Sequence, residues 1–244
     1  MPRPVPSFPF PQRSNAMIWE ILYSDFHPTH TQPYQAMYAR SQGDEAKLWR
    51  FQYMGIEEEL ERSFRYVHPS DDNAGCFSLR FAEIIRSAAN AYEILAKELY
   101  AKLYNRIDKL NVFNYLALDL FLTLTDQRVT QLAGVGTFPT HPEVTRPFAN
   151  LASWDKASPI QPAHIPDWWN AYNAVKHSQA GLKDYATLAN AMAVTAALFL
   201  LIERIFGFGV LQGGTYEIER TQQGTGHSIK FRTFPTWARL FVRI

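Results

Sequence analysis

Between Cys76 and Tyr104 the chain reads CFSLRFAEIIRSAANAYEILAKELYAKLY, with no proline or glycine and strong helix formers throughout. Such a run fixes a long helix, and its pattern fixes what the helix touches. Phe77, Phe81, Ile84, Ala88, Ala91, Leu95 and Leu99 recur at spacings of three and four, which sets them on one face. Glu83, Arg86, Asn90, Glu93 and Lys97 form a second, polar stripe. Another run, YATLANAMAVTAALFLLI from Tyr185 to Ile202, carries no charge over about one bilayer's thickness of helix. Thr187, Asn190, Thr195 and many alanines make it weakly apolar, and a helix apolar all round is also what a bundle centre requires. We therefore read Lys183 to Phe206 as a core helix stopped by GFG, and expect no membrane span.

Length and composition agree with one soluble domain. The 244 residues are enough for one sizeable core, and 47% hydrophobic with 19% charged residues describes a globular chain. A formal net charge of +1 leaves no bulk field for nucleic acid, so any RNA contact must rest on a local basic cluster. Cys76 is the single cysteine, which excludes an intramolecular disulfide and fits a reducing compartment, so the cytoplasm is expected. Prolines at 2, 4, 6, 9 and 11 mark residues 1–16 as an extended arm without the apolar helix of a signal peptide. Residues 17–244 are expected to form one domain.

The remaining segments read less uniformly. MIWEILYSDF is either a short helix or a strand, and HPTHTQPY is a turn-rich loop. Alternation in AKLWRFQYM predicts a strand, after which IEEELERSFRYV predicts a short helix with acidic residues in its first turn. HPSDDNAG breaks that helix. Residues 111 to 160 predict a helix or strand at YLALDLFLTL, then a long irregular connection through AGVGTFPTHPEVTRPF. TYEIER and HSIKFR alternate across QQGTG and predict a hairpin. The fold class that follows is mainly α, an antiparallel helix bundle with a small C-terminal β-hairpin annex.

The chemistry concentrates in IPDWWNAYNAVKHSQ, where Pro166 suits a first helical turn and Gly181 ends the segment. Trp169, Asn173, Lys176 and His177 follow at offsets of four, three and one, placing the three polar groups along one edge. Trp168, Tyr172 and Val175 occupy the adjacent apolar edge. The plain alternative is structural: Asn173 and His177 satisfy buried partners and Lys176 is solvated. The chemical alternative uses each group's capacity. His exchanges a proton near neutrality, Lys offers positive charge to a phosphate, and Asn orients a phosphate oxygen or ribose hydroxyl. Together they suit metal-free phosphodiester cleavage that begins at a ribose 2′-hydroxyl, which makes RNA the substrate.

WWNAYNAVKHS followed by ATLANAMAVTAALFLLIE resembles the C-terminal helix pair of HEPN-type proteins. FRYVHPSDDN with FSLRFAEIIRSAANAYEILAKEL resembles the preceding helices of a bacterial group in that superfamily, the likeness covering roughly residues 55 to 104 and 150 to 206. It implies a helical bundle that dimerises, and a metal-independent, cofactor-free endoribonuclease of toxin–antitoxin or antiphage defence type. A partner such as an antitoxin or another defence protein is implied too. Other members are nucleotide-binding or non-catalytic, so a silent module acting through protein contacts is the second expectation. The family motif sets an arginine with four to six residues between it and a histidine. His177 matches the histidine, whereas the permitted arginine positions hold Asn170, Ala171 and Tyr172. Lys176, or Arg86 from the long helix, stands in for the charge; a Lys cannot reproduce the bidentate grip of a guanidinium. The candidate site is thus catalytic His177, Lys176 and Asn173, with Arg86, Glu83, Asn90 and Trp169 contacting substrate or supporting it.

Other signals carry less. His27 and His30 lack a cysteine or carboxylate set for a metal. The glycines around Val210 to Gln212 match no phosphate loop. Cys76 reads as a structural thiol, and KFRTFPTWARLFVR as an amphipathic strand edge.

Overall fold

The computed structural model describes residues 43–104, 109–122, 124–126, 129–131, 144–177, 181–206, 211, 214–220, 227–233 and 241–243. The expectations for the proline arm, for MIWEILYSDF and for His27 and His30 lie outside them. The architecture is mainly α. Its principal helices are α1 (Asp44–Ser63), α2 (Leu79–Tyr104), α5 (Asp167–His177) and α7 (Leu188–Phe206). Short helices α3 (Val112–Leu116), α4 (Asp119–Leu122) and α6 (Leu182–Tyr185) join them.

Helix α7 is the axis of the bundle and packs against α1, α2 and α5. Leu198, Phe199, Leu200, Leu201 and Ile202 are all buried, so it faces protein on every side. It is the one described helix long and apolar enough to cross a membrane, and 78% of its apolar window is buried inside the protein. The predicted helix from Lys183 is broken at Ala186 and Thr187, separating α6 from α7. The break is stabilised from outside. Ser78 N donates to Ala186 O, Leu188 N to Cys76 O and Ala189 N to Ala74 O, while Phe77 pairs with Thr187 as an isolated bridge. The same stitch delays α2, which begins at Leu79 instead of Cys76 and leaves Phe77 outside the helix and 45% exposed.

Helix α1 corrects the sequence reading. AKLWRFQYM is helical and continuous with IEEELERS, because Ala46, Trp49, Tyr53, Ile56 and Leu60 are buried at spacings of three and four. Tyr53 packs on Phe199 of α7 with ring centroids 5.8 Å apart and donates its hydroxyl to the buried Glu57 at 3.0 Å. Lys102 meets Glu45 at 3.9 Å near one end of the α1–α2 pair, and Arg80 meets Glu59 near the other, so these helices run antiparallel.

The small strands pair antiparallel. β1 (Val129–Gln131) lies between β2 (Val144–Thr145) and β5 (Phe241–Arg243), antiparallel to both. β3 (Gly214–Arg220) and β4 (His227–Thr233) form the hairpin expected of TYEIER and HSIKFR, paired from Gly214↔Thr233 to Arg220↔His227.

Candidate functional site

Helix α5 begins just after Pro166, which follows a short 3-10 turn at Pro162–His164: Trp169 N and Asn170 N both donate to Pro166 O, at 3.0 and 3.3 Å. Its position is set by rings. Trp168 is sunk among Tyr92 and Phe148, with centroids at 5.1 and 6.0 Å, and its indole N–H donates to Pro147 O at 2.8 Å. Trp169 stacks edge-on against Tyr172 at 5.5 Å and tilts against Tyr115 at 5.9 Å. Both tryptophans are buried anchors, so Trp169 belongs to the core and not to the polar edge. The described part of the connection after β2 packs at this tryptophan end of α5, through Phe148 and Pro147.

Asn173, Lys176 and His177 are exposed, as expected of one edge, and Asn170 is exposed one turn earlier. Lys176 is held in place. Its Nζ donates to the Tyr172 hydroxyl at 3.1 Å, lies 5.0 Å from the centre of that ring, and approaches Glu93 Oε2 at 4.0 Å. Tyr172 in turn donates to Glu93 Oε2 at 3.1 Å, so a carboxylate of α2, a phenol and an ammonium form a chain. Burial raises the Tyr172 pKa, opposed by the Lys176 contact and assisted by Glu93. The Lys176 pKa is raised as well, first by its bond to Tyr172. Tyr115, beside the same groups, is pushed up to about 12 by burial and then by the Glu93 charge. The phenols therefore stay protonated and the lysine stays charged near neutrality.

Arg86 comes to α5 from the other helix. Its Nε and Nη2 donate to the Val175 carbonyl at 3.3 and 3.0 Å, tying α2 to the last turn of α5 directly beneath Lys176 and His177. Glu83 and Asn90 do not join it. They line a groove shared with α1, where Glu83 pairs with Arg80 at 3.2 Å. The polar stripe of α2 is thus divided between two neighbours: Arg86 and Glu93 serve α5, and Glu83 and Asn90 face α1. Among the described residues no hydrogen bond or ion pair joins a carboxylate to His177; Glu93 serves Tyr172 and Lys176 instead.

Tyr172 and Tyr115 were absent from the sequence-based site. Tyr172 stands four residues before Lys176, a spacing at which helical side chains meet, and that was the readable signal. Cys76 belongs to the stitch between α2 and α7, where its half-buried thiol faces Asn73 Oδ1 at 3.7 Å. The side chains of the C-terminal basic segment lie outside the described residues. Searches against protein-family models, curated proteins and solved structures found no match for this chain.

Proposed function

We propose that this chain is an HEPN-like cytoplasmic protein that engages RNA along the exposed edge of α5 and cleaves it without a metal. One observation carries the reading: on a helix whose other face is sunk in the core, Asn173, Lys176 and His177 are left exposed together at its C-terminal end. In that role Asn173 donates its amide to a phosphate oxygen and His177 takes the proton of a ribose 2′-hydroxyl. Lys176 and the Arg86 guanidinium contribute positive charge at the same end. A homodimer, and a defence or antitoxin partner, belong to the same proposal.

The test uses purified protein with tRNA and total RNA in EDTA, beside His177→Ala, Asn173→Ala and Lys176→Ala. Cleavage leaving cyclic phosphate ends in wild type and lost in His177→Ala is the expected result. Equal cleavage by wild type and variants would remove His177 from the chemistry. A second reading, a silent module acting through protein contacts, is favoured by the engagement of Lys176 with Tyr172 and Glu93. Neither cleavage nor salt-sensitive RNA binding by any of the proteins would decide for it.

A further inference from the structure

The opposite side of α2 carries a second feature. Between α1 and α2 lies an open groove of about 460 Å³, floored by Ile56 and Ile84 and flanked by Gln52, Gly55, Ser87 and Asn90. One end is apolar. Leu48 and Phe51, 70% and 64% exposed, stand on α1, and the exposed Ile94 continues the Ser87 and Asn90 face of α2. The other end holds Glu59, Arg80 and Glu83, where Arg80 pairs with both carboxylates. Gly55 sits in the middle of α1, and a methyl group built there meets no atom within 4 Å. A glycine inside a helix destabilises it relative to alanine, and nothing among the described residues asks for this one. What it leaves is room for a backbone arriving from outside.

We propose that this groove docks an amphipathic helix of a partner protein, with apolar residues against Leu48, Phe51 and Ile94 and a basic side chain at Glu59 and Glu83. Shape and charge choose this occupant. From Gln52 to Glu59 the groove runs about 10 Å, or two turns of helix, and the exposed apolar surface starting at Leu48 adds about one turn more. A channel between two antiparallel helices takes a third helix along it. Arg62 also holds Glu59, at 3.0 Å, and is shared with Glu58. The connected cluster of three carboxylates (Glu58, Glu59, Glu83) and two guanidiniums (Arg62, Arg80) carries net −1 (three negative, two positive), which attracts a lysine or arginine and repels phosphate. RNA and anionic lipid are thereby disfavoured. The proposal is independent of the RNA reading, since the groove and the α5 edge lie on different sides of α2.

The experiment pans a displayed library of helical peptides on the full chain and titrates the enriched peptide by fluorescence anisotropy. Sequences with apolar residues at helical spacing and a basic residue about two turns away are expected. Gly55→Trp and Ser87→Arg, which fill the groove from opposite walls, should each weaken binding about tenfold or more, whereas His177→Ala should bind like wild type. Thermal melts of the variants establish that they fold, and Ser87→Arg keeps the test valid if Gly55→Trp does not. Equal binding by wild type and the groove variants would overturn the proposal. So would enrichment of peptides without helical periodicity, or light scattering showing a wild-type dimer that Gly55→Trp dissociates, which would make a second copy the occupant.

Discussion

The hydroxyl of Tyr172 donates to Glu93 Oε2 at 3.1 Å, a polar contact that links α5 to α2 beside the Trp169 ring. Lys176 then donates to that same hydroxyl, so the phenol is shared between two charged groups. Removing it in Tyr172→Phe leaves both charges partly open to water, with side-chain exposures of 46% for Lys176 and 31% for Glu93. A loss of about 1 kcal/mol is expected, at the low end for hydrogen bonds to charged groups, because water replaces part of the contact. Urea unfolding with an unchanged slope would measure it, and a loss beyond ~3 kcal/mol would mean that the ring itself had moved.

Arg86 makes a sharper prediction. Its two donors converge on one carbonyl oxygen, that of Val175. Arg86→Ala should cost about 1.5–3 kcal/mol, and Arg86→Lys should recover only part of it, because an ammonium cannot present two fixed donors to one acceptor. Hydrogen exchange of the α5 amides reports the local effect: protection should fall at the last turn of α5 and persist around Trp168. Uniform loss along α5 would show that Arg86 does not act on that turn in particular.

Tyr92 points the other way. Its side chain is fully buried among Phe148, Trp168 and Trp169, and among the described residues its hydroxyl has no hydrogen-bond partner. A buried hydroxyl without a partner carries a desolvation cost, so Tyr92→Phe should leave stability unchanged or raise it by about 1 kcal/mol. A lower melting temperature for the variant would reveal a partner for that oxygen, such as an ordered water.

High pH should act on several phenols at once. Burial raises the pKa of Tyr53, Tyr92 and Tyr172, and pushes Tyr115 up to about 12. A phenol whose folded pKa lies above its unfolded value of about 10 holds its proton more tightly when folded. Its contribution to stability is complete below about pH 10 and is lost as pH rises through the folded value. Phenolate absorbance and helical circular dichroism, followed together, should show part of the 12 tyrosines ionising only as helicity collapses. A single early titration step with helicity intact would contradict this.

What the sequence made readable follows from how many residues vote on each element. Helix α2 spans 26 residues of unbroken helix formers and α7 spans 19, so neither depends on one position. Helix α1 was misread because Trp49, Phe51 and Tyr53 alternate like a strand. The burial pattern shows Phe51 to be the residue out of phase, 64% exposed while Trp49 and Tyr53 are buried. Such local conflicts tend to mark function, and Phe51 is the apolar end of the proposed docking groove. At α5 the exposed edge was legible from spacing. The pairing was not, because the polar stripe of α2 is wide enough to serve two neighbours, and only the packing assigns Glu93 to Tyr172 and Arg80 to Glu59.

The stitch between residues 74–78 and 186–189 has a consequence for the bundle as a whole. It lies just ahead of both α2 and α7, giving the two longest packed surfaces a common origin. Adding or deleting one residue on either side would turn the following helix by about 100° against the other. That rotation would travel the length of α2, about 39 Å, and shift the interdigitation of every layer between them. The short clasp therefore works as an indexing mark: few atoms at the head of two helices decide which faces α2 offers to α1 and to α5.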